Sequence, residues 1–213
     1  MVRVVKKPEE RRNEIIAAAC QLFLTKGYDS TTMRDVMQHL QIAKGTIYHY
    51  FRSKELLLEA VIDSVAEDEM QRLKEKLKNV EGNALERLQY LITNSATPHG
   101  EDGHEKLIGD LHKTANAGMH IRLLAKVLTK QAPLYAELFS QGVDEGLFDT
   151  NYPLECAEFL LSGIQFLTDM GIYPWKQEEL QRRWQAFPQL IENQLKAPEG
   201  SFSFLTGGKL DNQ

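Results

Sequence analysis

The chain has 213 residues, 42% hydrophobic and 26% charged, enough apolar content for a packed globular protein of one or two small domains and too much for intrinsic disorder. No run approaches the roughly 18 apolar residues that span a bilayer, and the basic start has no apolar stretch behind it, so no membrane partner and a cytoplasmic location are expected. The formal charge of −5 is unevenly placed: residues 1–54 hold ten Lys/Arg against five Asp/Glu, and the remainder hold 15 against 25, which sets a basic, phosphate-seeking segment ahead of an acidic body.

The first predicted element is a helix from Arg11 to Lys26, with Ile15, Ala19, Leu22 and Phe23 as its apolar stripe and Gly27 as its stop. Thr32 followed by Asp35 then forms a capping-box pattern. Behind it, Met33, Val36, Met37 and Leu40 keep the i, i+3, i+4, i+7 spacing of a second helix. Only Gln41 and Ile42 remain for a turn before a third periodic segment. At about 100° per residue, Ala43, Ile47, Tyr50 and Phe51 share one face of that segment, while Lys44, Gly45, Thr46, Tyr48 and His49 share the other. The second face offers donors, an aromatic hydroxyl and a glycine, with no acid. A glycine inside a helix costs roughly 1 kcal/mol relative to alanine, a cost that close approach to a partner offsets. Two helices joined by a tight turn, the second exposing such a face, are the helix-turn-helix geometry that reads the major groove. Phe23, Val36, Leu40, Ile47 and Phe51 are the expected core of this small domain.

The run KGTIYHYF from Lys44 to Phe51, followed by Ser53, Lys54 and Glu55, closely resembles the N-terminal domain of TetR-family transcriptional regulators. The resemblance implies an all-α protein in which a three-helix DNA-binding domain, residues 1–54, is joined by a long helix to a helical effector-binding and dimerisation domain, residues 55–197. It also implies a homodimer that binds a double-stranded DNA operator and releases it on binding a small-molecule effector. By chemistry and position in that motif, the expected DNA contacts are Thr46 and Lys44 on phosphates or base edges, Gly45 at the close approach, and Tyr48 and His49 on phosphates or bases. Lys54 beside Ser53, and Thr32 and Arg34 at the start of the preceding helix, are expected to hold phosphates. Tyr50 sides with the core. Members of the family commonly carry Gly in the interhelical turn and Ser or Thr as the cap of the recognition helix, where this chain has Gln41 and Ala43. A lost cap costs about 0.5–2 kcal/mol, so this is where the helix-turn-helix geometry is expected to depart first.

From Glu55, the positions Leu58, Ile62, Val65, Met70, Leu73 and Leu77 predict one helix to about Asn79, stopped by Gly82. Leu85, Leu88, Leu91 and Ile92 stripe the next, broken by Thr97–Gly100. Shorter helical segments are expected at 105–115 and 119–130, with a further one starting or kinking at Pro133 and ending by Gly146. Pro153 opens a helix whose broad apolar face holds Ala157, Leu160, Leu161, Ile164 and Leu167. Leu180, Trp184, Phe187, Ile191 and Leu195 mark the last helix, with a kink or restart at Pro188. In the resembling family these two helices build the dimer's four-helix bundle. Residues 198–213 read as a flexible tail.

The body carries no GxSxG elbow, HExxH pair or phosphate loop, so no enzyme is expected. Cys20 and Cys156 lack metal-knuckle or disulfide spacing. His104, His112 and His120 are eight apart, which on a continuous helix turns each about 80° from the last, so no metal site and no cofactor are expected. For the effector pocket, Leu91, His112, Leu124 and Phe166 are candidate wall residues, each with core packing as its plainer role. An architectural DNA-binding protein without an effector is the alternative reading, and an enzyme or carrier with a vestigial DNA head a third.

Overall fold

A computed structural model describes residues 7–95 and 112–206, and among these residues all regular structure is helical: eight α-helices and two short 3-10 helices, with no strand. In chain order the α-helices are α1 Pro8–Lys26, α2 Met33–Leu40, α3 Lys44–Tyr50, α4 Lys54–Leu77, α5 Ala84–Ser95, α6 Ala117–Asp144, α7 Pro153–Thr168 and α8 Gln177–Leu195. The 3-10 turns are Thr114–Asn116 and Ser203–Leu205. The expected break at Thr97–Gly100, most of the expected helix at 105–115, and residues 207–213 lie outside the described residues. The chain forms two compact units, one of residues 1–66 and 102–123 and one of residues 67–101 and 124–213. The first of these units runs past residue 54 into α4 and takes in the start of α6.

In the amino-terminal unit, α1 begins with Pro8, whose missing amide costs nothing in a first turn, and ends at Gly27, which adopts φ 91°. Helix α2 is held at its start by reciprocal bonds: Thr32 Oγ1 accepts from the Asp35 amide at 3.2 Å, and the Asp35 carboxylate accepts from the Thr32 amide at 2.7 Å. Around them, Ile15, Ala19, Phe23, Val36, Ile47 and Phe51 are buried together with Leu57, Val61 and Ile62 of α4. Full burial of side chains of this size contributes about 1.5–3 kcal/mol each. Leu40, expected in this core, is only half-buried. Thr31 is fully buried and donates its hydroxyl to Gly27 O at 2.7 Å, which pins the corner between α1 and α2.

The second unit packs Leu73, Leu77, Leu88, Leu91, Tyr135, Phe139, Phe148, Leu160, Phe187, Ile191, Leu195 and Phe202 into one core. Three expectations are corrected here. No helix starts at Pro133, because residues 117–144 form one continuous α6 with Pro133 inside it. Pro188 likewise lies inside α8 and is buried. Pro133 is exposed, between the buried Ala132 and Tyr135, while Pro188 packs into the core. Residues 198–206 are not a loose tail: Phe202 is 1% exposed and donates its amide to Glu192 Oε1 at 2.9 Å, and its ring stacks 6.1 Å from that of Phe148. The turn-rich sequence concealed an apolar anchor.

Candidate nucleic-acid interface

Helix α3 starts as its sequence foretells. Ala43 adopts an extended conformation and offers no side-chain cap, so the first turn closes only through backbone, with the Thr46 amide donating to Ala43 O at 2.9 Å. Gln41 enters the left-handed region at φ 53°, ψ 41°, a conformation glycine adopts freely. Its amide donates to the carbonyls of Gln38 and Met37, so the chain completes the turn at the expense of local strain. The turn thus closes, and α3 begins, through backbone hydrogen bonds alone.

Ile47, fully buried, and Phe51 tie α3 to the core. Opposite them, Lys44, Gly45, Tyr48 and His49 are exposed and Thr46 is half-buried, so the structure brings these five onto one surface. A Cβ built on Gly45 meets nothing within 4 Å: nothing inside the protein requires a glycine there, which leaves the space for a partner. Lys44 Nζ stands 5.8 Å from the centroid of the Tyr48 ring, and the His49 and Tyr50 rings meet edge-on at 5.0 Å. Tyr50 is half-buried. Arg34 is exposed on the first turn of α2.

Two of the expected contacts also have structural work. The Thr32 hydroxyl donates to Asp35 Oδ2 at 2.7 Å. Those bonds, with Lys26 Nζ at 2.9 Å, hold the Asp35 carboxyl down at about 2, chiefly through the Thr32 hydroxyl. Lys54 Nζ donates to Tyr28 O at 3.0 Å and Asp29 O at 3.4 Å and lies 4.2 Å from the Tyr28 ring centroid. Its ammonium fixes the loop ahead of α2 with two of its three donors.

A residue that sequence reasoning missed is Asn116. It is 1% exposed, accepts from the Tyr28 amide at 3.3 Å and donates to Leu24 O at 3.2 Å. It thus fastens the start of α6 to the corner between α1 and α2, within one unit. Nothing in the spacing around an Asn in a polar stretch announces such a role. His112 and His120 do not share a continuous helix. Residues 112–116 form a turn and a 3-10 turn rather than α-helix, and the two rings lie 5.0 Å apart at 39°. His104 is outside the described residues.

Of the four candidate effector-wall residues, Leu91 is fully buried in the second unit's core, Leu124 is half-buried, Phe166 is exposed and meets Tyr173, and His112 belongs to the amino-terminal unit. The second unit instead contains an apolar cavity of about 120 Å³ walled by Leu88, Ile92, Tyr135, Phe139, Leu160 and Trp184 among others. Several of these belong to stripes visible in the sequence, but periodicity marks a buried face without telling packing from a gap. Burial pushes the Tyr135 hydroxyl well above its ordinary range, so it stays a neutral hydrogen-bonding group.

An all-helical chain with a helix-turn-helix whose second helix presents a basic, acid-free face is a DNA-binding transcriptional regulator. Family comparison carries this further: residues 15–61 match the model of bacterial regulatory proteins of the tetR family, and residues 103–190 match the tetracyclin repressor-like C-terminal domain. The two matches together span more than half of the chain, and the protein belongs to the TetR family. Among relatives, it is 26% identical over 150 residues to the HTH-type transcriptional repressor KstR2 of Mycobacterium tuberculosis, covering 70% of this chain and 74% of the relative. Among solved structures, a TetR-family regulator from Pectobacterium atrosepticum superposes with a TM-score of 0.64 at 20% identity, covering 92% of this chain and all of the other. A second, from Mesorhizobium loti, gives 0.61 at 20% identity over 89% and 98%. At these identities the structures speak for the fold. Among the described residues, no helix is long and apolar enough to cross a membrane.

Proposed function

We propose that this regulator is a repressor that binds a palindromic operator as a homodimer and is released by a small-molecule effector. The observation that carries the DNA half of this reading is the exposed Lys44, Gly45, Thr46, Tyr48, His49 surface on a helix anchored by Ile47 and Phe51. In this reading Gly45 lets the backbone approach the groove, Thr46, Tyr48 and His49 meet base edges and phosphates, and Lys44 and Arg34 hold phosphates that fix register, whereas the hydroxyl and amide of Thr32 both donate to Asp35 and leave it no donor for a phosphate. Lys54 spends its remaining donor on a phosphate while keeping the Tyr28 loop in place.

The apolar cavity supports the effector half. Its walls favour a neutral, mostly apolar molecule oriented by one or two hydrogen bonds, such as the Tyr135 hydroxyl can make. At about 120 Å³ it falls below the roughly 300–1,000 Å³ of ordinary ligand sites. A larger effector therefore enters by displacing wall side chains, and that displacement links binding to a change of state.

The test is a binding titration at fixed salt against the chain's own upstream DNA and a random competitor. A repressor of this kind keeps a preference of at least about 10³ for its site; an architectural protein shows none. Lys44→Ala should weaken binding to all sequences alike and lower the salt slope by about 1. Tyr48→Ala with His49→Ala should erode the preference itself. Retention of full affinity and preference in both variants would overturn the assignment of this face.

A further inference from the structure

The amino-terminal unit holds a pair of histidines that DNA recognition does not use. His112 is half-buried in the turn before Thr114–Asn116, and His120, 5% exposed, sits one turn into α6. Their rings face each other at 5.0 Å, and their ring nitrogens approach within 4.8 Å. Two imidazoles bound to one tetrahedral ion, with metal–nitrogen bonds of about 2.0–2.1 Å, stand about 3.4 Å apart at the nitrogens. A modest rotation of either ring spans the difference. Paired neutral imidazoles with no thiolate select borderline first-row cations over the hard alkaline-earth ions.

The chain between the two rings gives such an ion a consequence. Asn116 lies midway and holds Leu24 O and the Tyr28 amide. Next to it, Ala115 Cβ sits 3.0 Å from where a Cβ on Gly27 would be, so the segment is seated directly on the corner between α1 and α2. Tying its two ends together removes conformational freedom from the segment that carries this contact.

We propose that His112 and His120 form a binding site for a first-row transition-metal dication, Zn²⁺ fitting best, and that the bound ion steadies the grip of Asn116 on the α1–α2 corner.

The test uses the full chain stripped of metal by a chelator, with Cu²⁺ as the spectroscopic probe and Zn²⁺ as competitor. One equivalent of Cu²⁺ should give an electron paramagnetic resonance spectrum with coupling to two imidazole nitrogens, and Zn²⁺ should displace it only in large excess, since imidazole sites bind Cu²⁺ more tightly. Loss of a mere outer hydrogen-bond partner of a metal ligand costs about 10- to 100-fold in affinity, so His112→Gln should cost at least that. His112 lies in a turn and is half-buried, so this variant tests the site without emptying a core position; His120→Gln, at a buried position, is read only alongside a folded-state circular dichroism spectrum. Zn²⁺ should also slow hydrogen exchange at the Tyr28 amide, and Asn116→Ala should abolish that slowing while leaving Cu²⁺ coordination intact. Nitrogen coupling and affinity unchanged in His112→Gln would overturn the site, and an unchanged Tyr28 exchange rate would overturn its link to the corner. Neither readout involves DNA, so the result stands apart from the operator assignment.

Discussion

Two side chains of the helix-turn-helix set how much stability the turn retains. Gln41 occupies a left-handed conformation that costs an L-residue roughly 1–2 kcal/mol, of which glycine's greater freedom in the unfolded chain gives part back. Gln41→Gly should therefore raise unfolding stability by up to about 1 kcal/mol, read by urea denaturation; a loss would mean that the Gln side chain itself holds the turn. Asp35 acts through charge. Its carboxyl falls from the ordinary 3.8 to about 2 because the Thr32 hydroxyl, Lys26 and the Thr32 amide all favour the ionised form. A depressed folded-state value stabilises the protein above the unfolded value, and that contribution disappears as pH falls through the folded one. Acid titration of stability should show a decline between pH 3.8 and about 2 that Asp35→Asn lacks. The same two residues show what was legible at this scale. The Thr-x-x-Asp spacing announced the cap, and Gln41 announced the awkward turn, but not that the turn would close in spite of it.

Elements were readable wherever one buried face repeats at helical spacing. The stop of α1 follows from Gly27 and the start of α2 from Thr32 with Asp35, both local signals, whereas α1 begins at Pro8, three residues ahead of the expected Arg11. What was not readable depends on partners distant in sequence. Pro133 and Pro188 both lie inside continuous helices, the second of them buried in the core. Leu40 drifts outward although its stripe is intact. The DNA-facing side of α3 was legible because it is defined by what it lacks, acid and bulk at Gly45, whereas Asn116 was not, since its partners Leu24 and Tyr28 lie about 90 residues away. The segment after α8 is the sharpest case. Its polar, glycine-bearing composition reads as a tail, yet Phe202 fills the core between Phe148 and Phe204. Phe202→Ala should cost about 3–5 kcal/mol of unfolding free energy, measured by urea denaturation of the full chain. A cost under about 1 kcal/mol would return the segment to the status of a tail.

On the scale of the whole molecule, a palindromic operator needs a two-fold axis, because each recognition helix reads one half-site. The second unit supplies a surface suited to it. Along α7, Phe159, Phe166, Leu167 and Met170 just beyond its end are 68%, 42%, 38% and 43% exposed, and they recur at helical spacing on one side. Gly163 lies in the same row with nothing within 4 Å of a Cβ built on it, so the row has a low point that a helix from another copy can approach. Leu190 of α8 adds a further 56% exposed apolar side chain. A row of aromatic and aliphatic groups left in water is the kind of patch that monomers rarely keep, and burying it against its own copy gives an isologous contact. The expected result is a particle of twice 24.3 kDa by light scattering at micromolar concentration. Phe159→Glu places a charge at the most exposed point of the row, where it disturbs no buried neighbour of its own unit. That variant should sediment as a folded monomer and lose most of its affinity for a two-half-site operator, while keeping weak binding to a single half-site, because joining two heads on one body is what raises avidity without new contacts. A wild-type monomer, or a Phe159→Glu dimer with undiminished operator affinity, would sink the assignment of this face and require the two-fold to be built elsewhere.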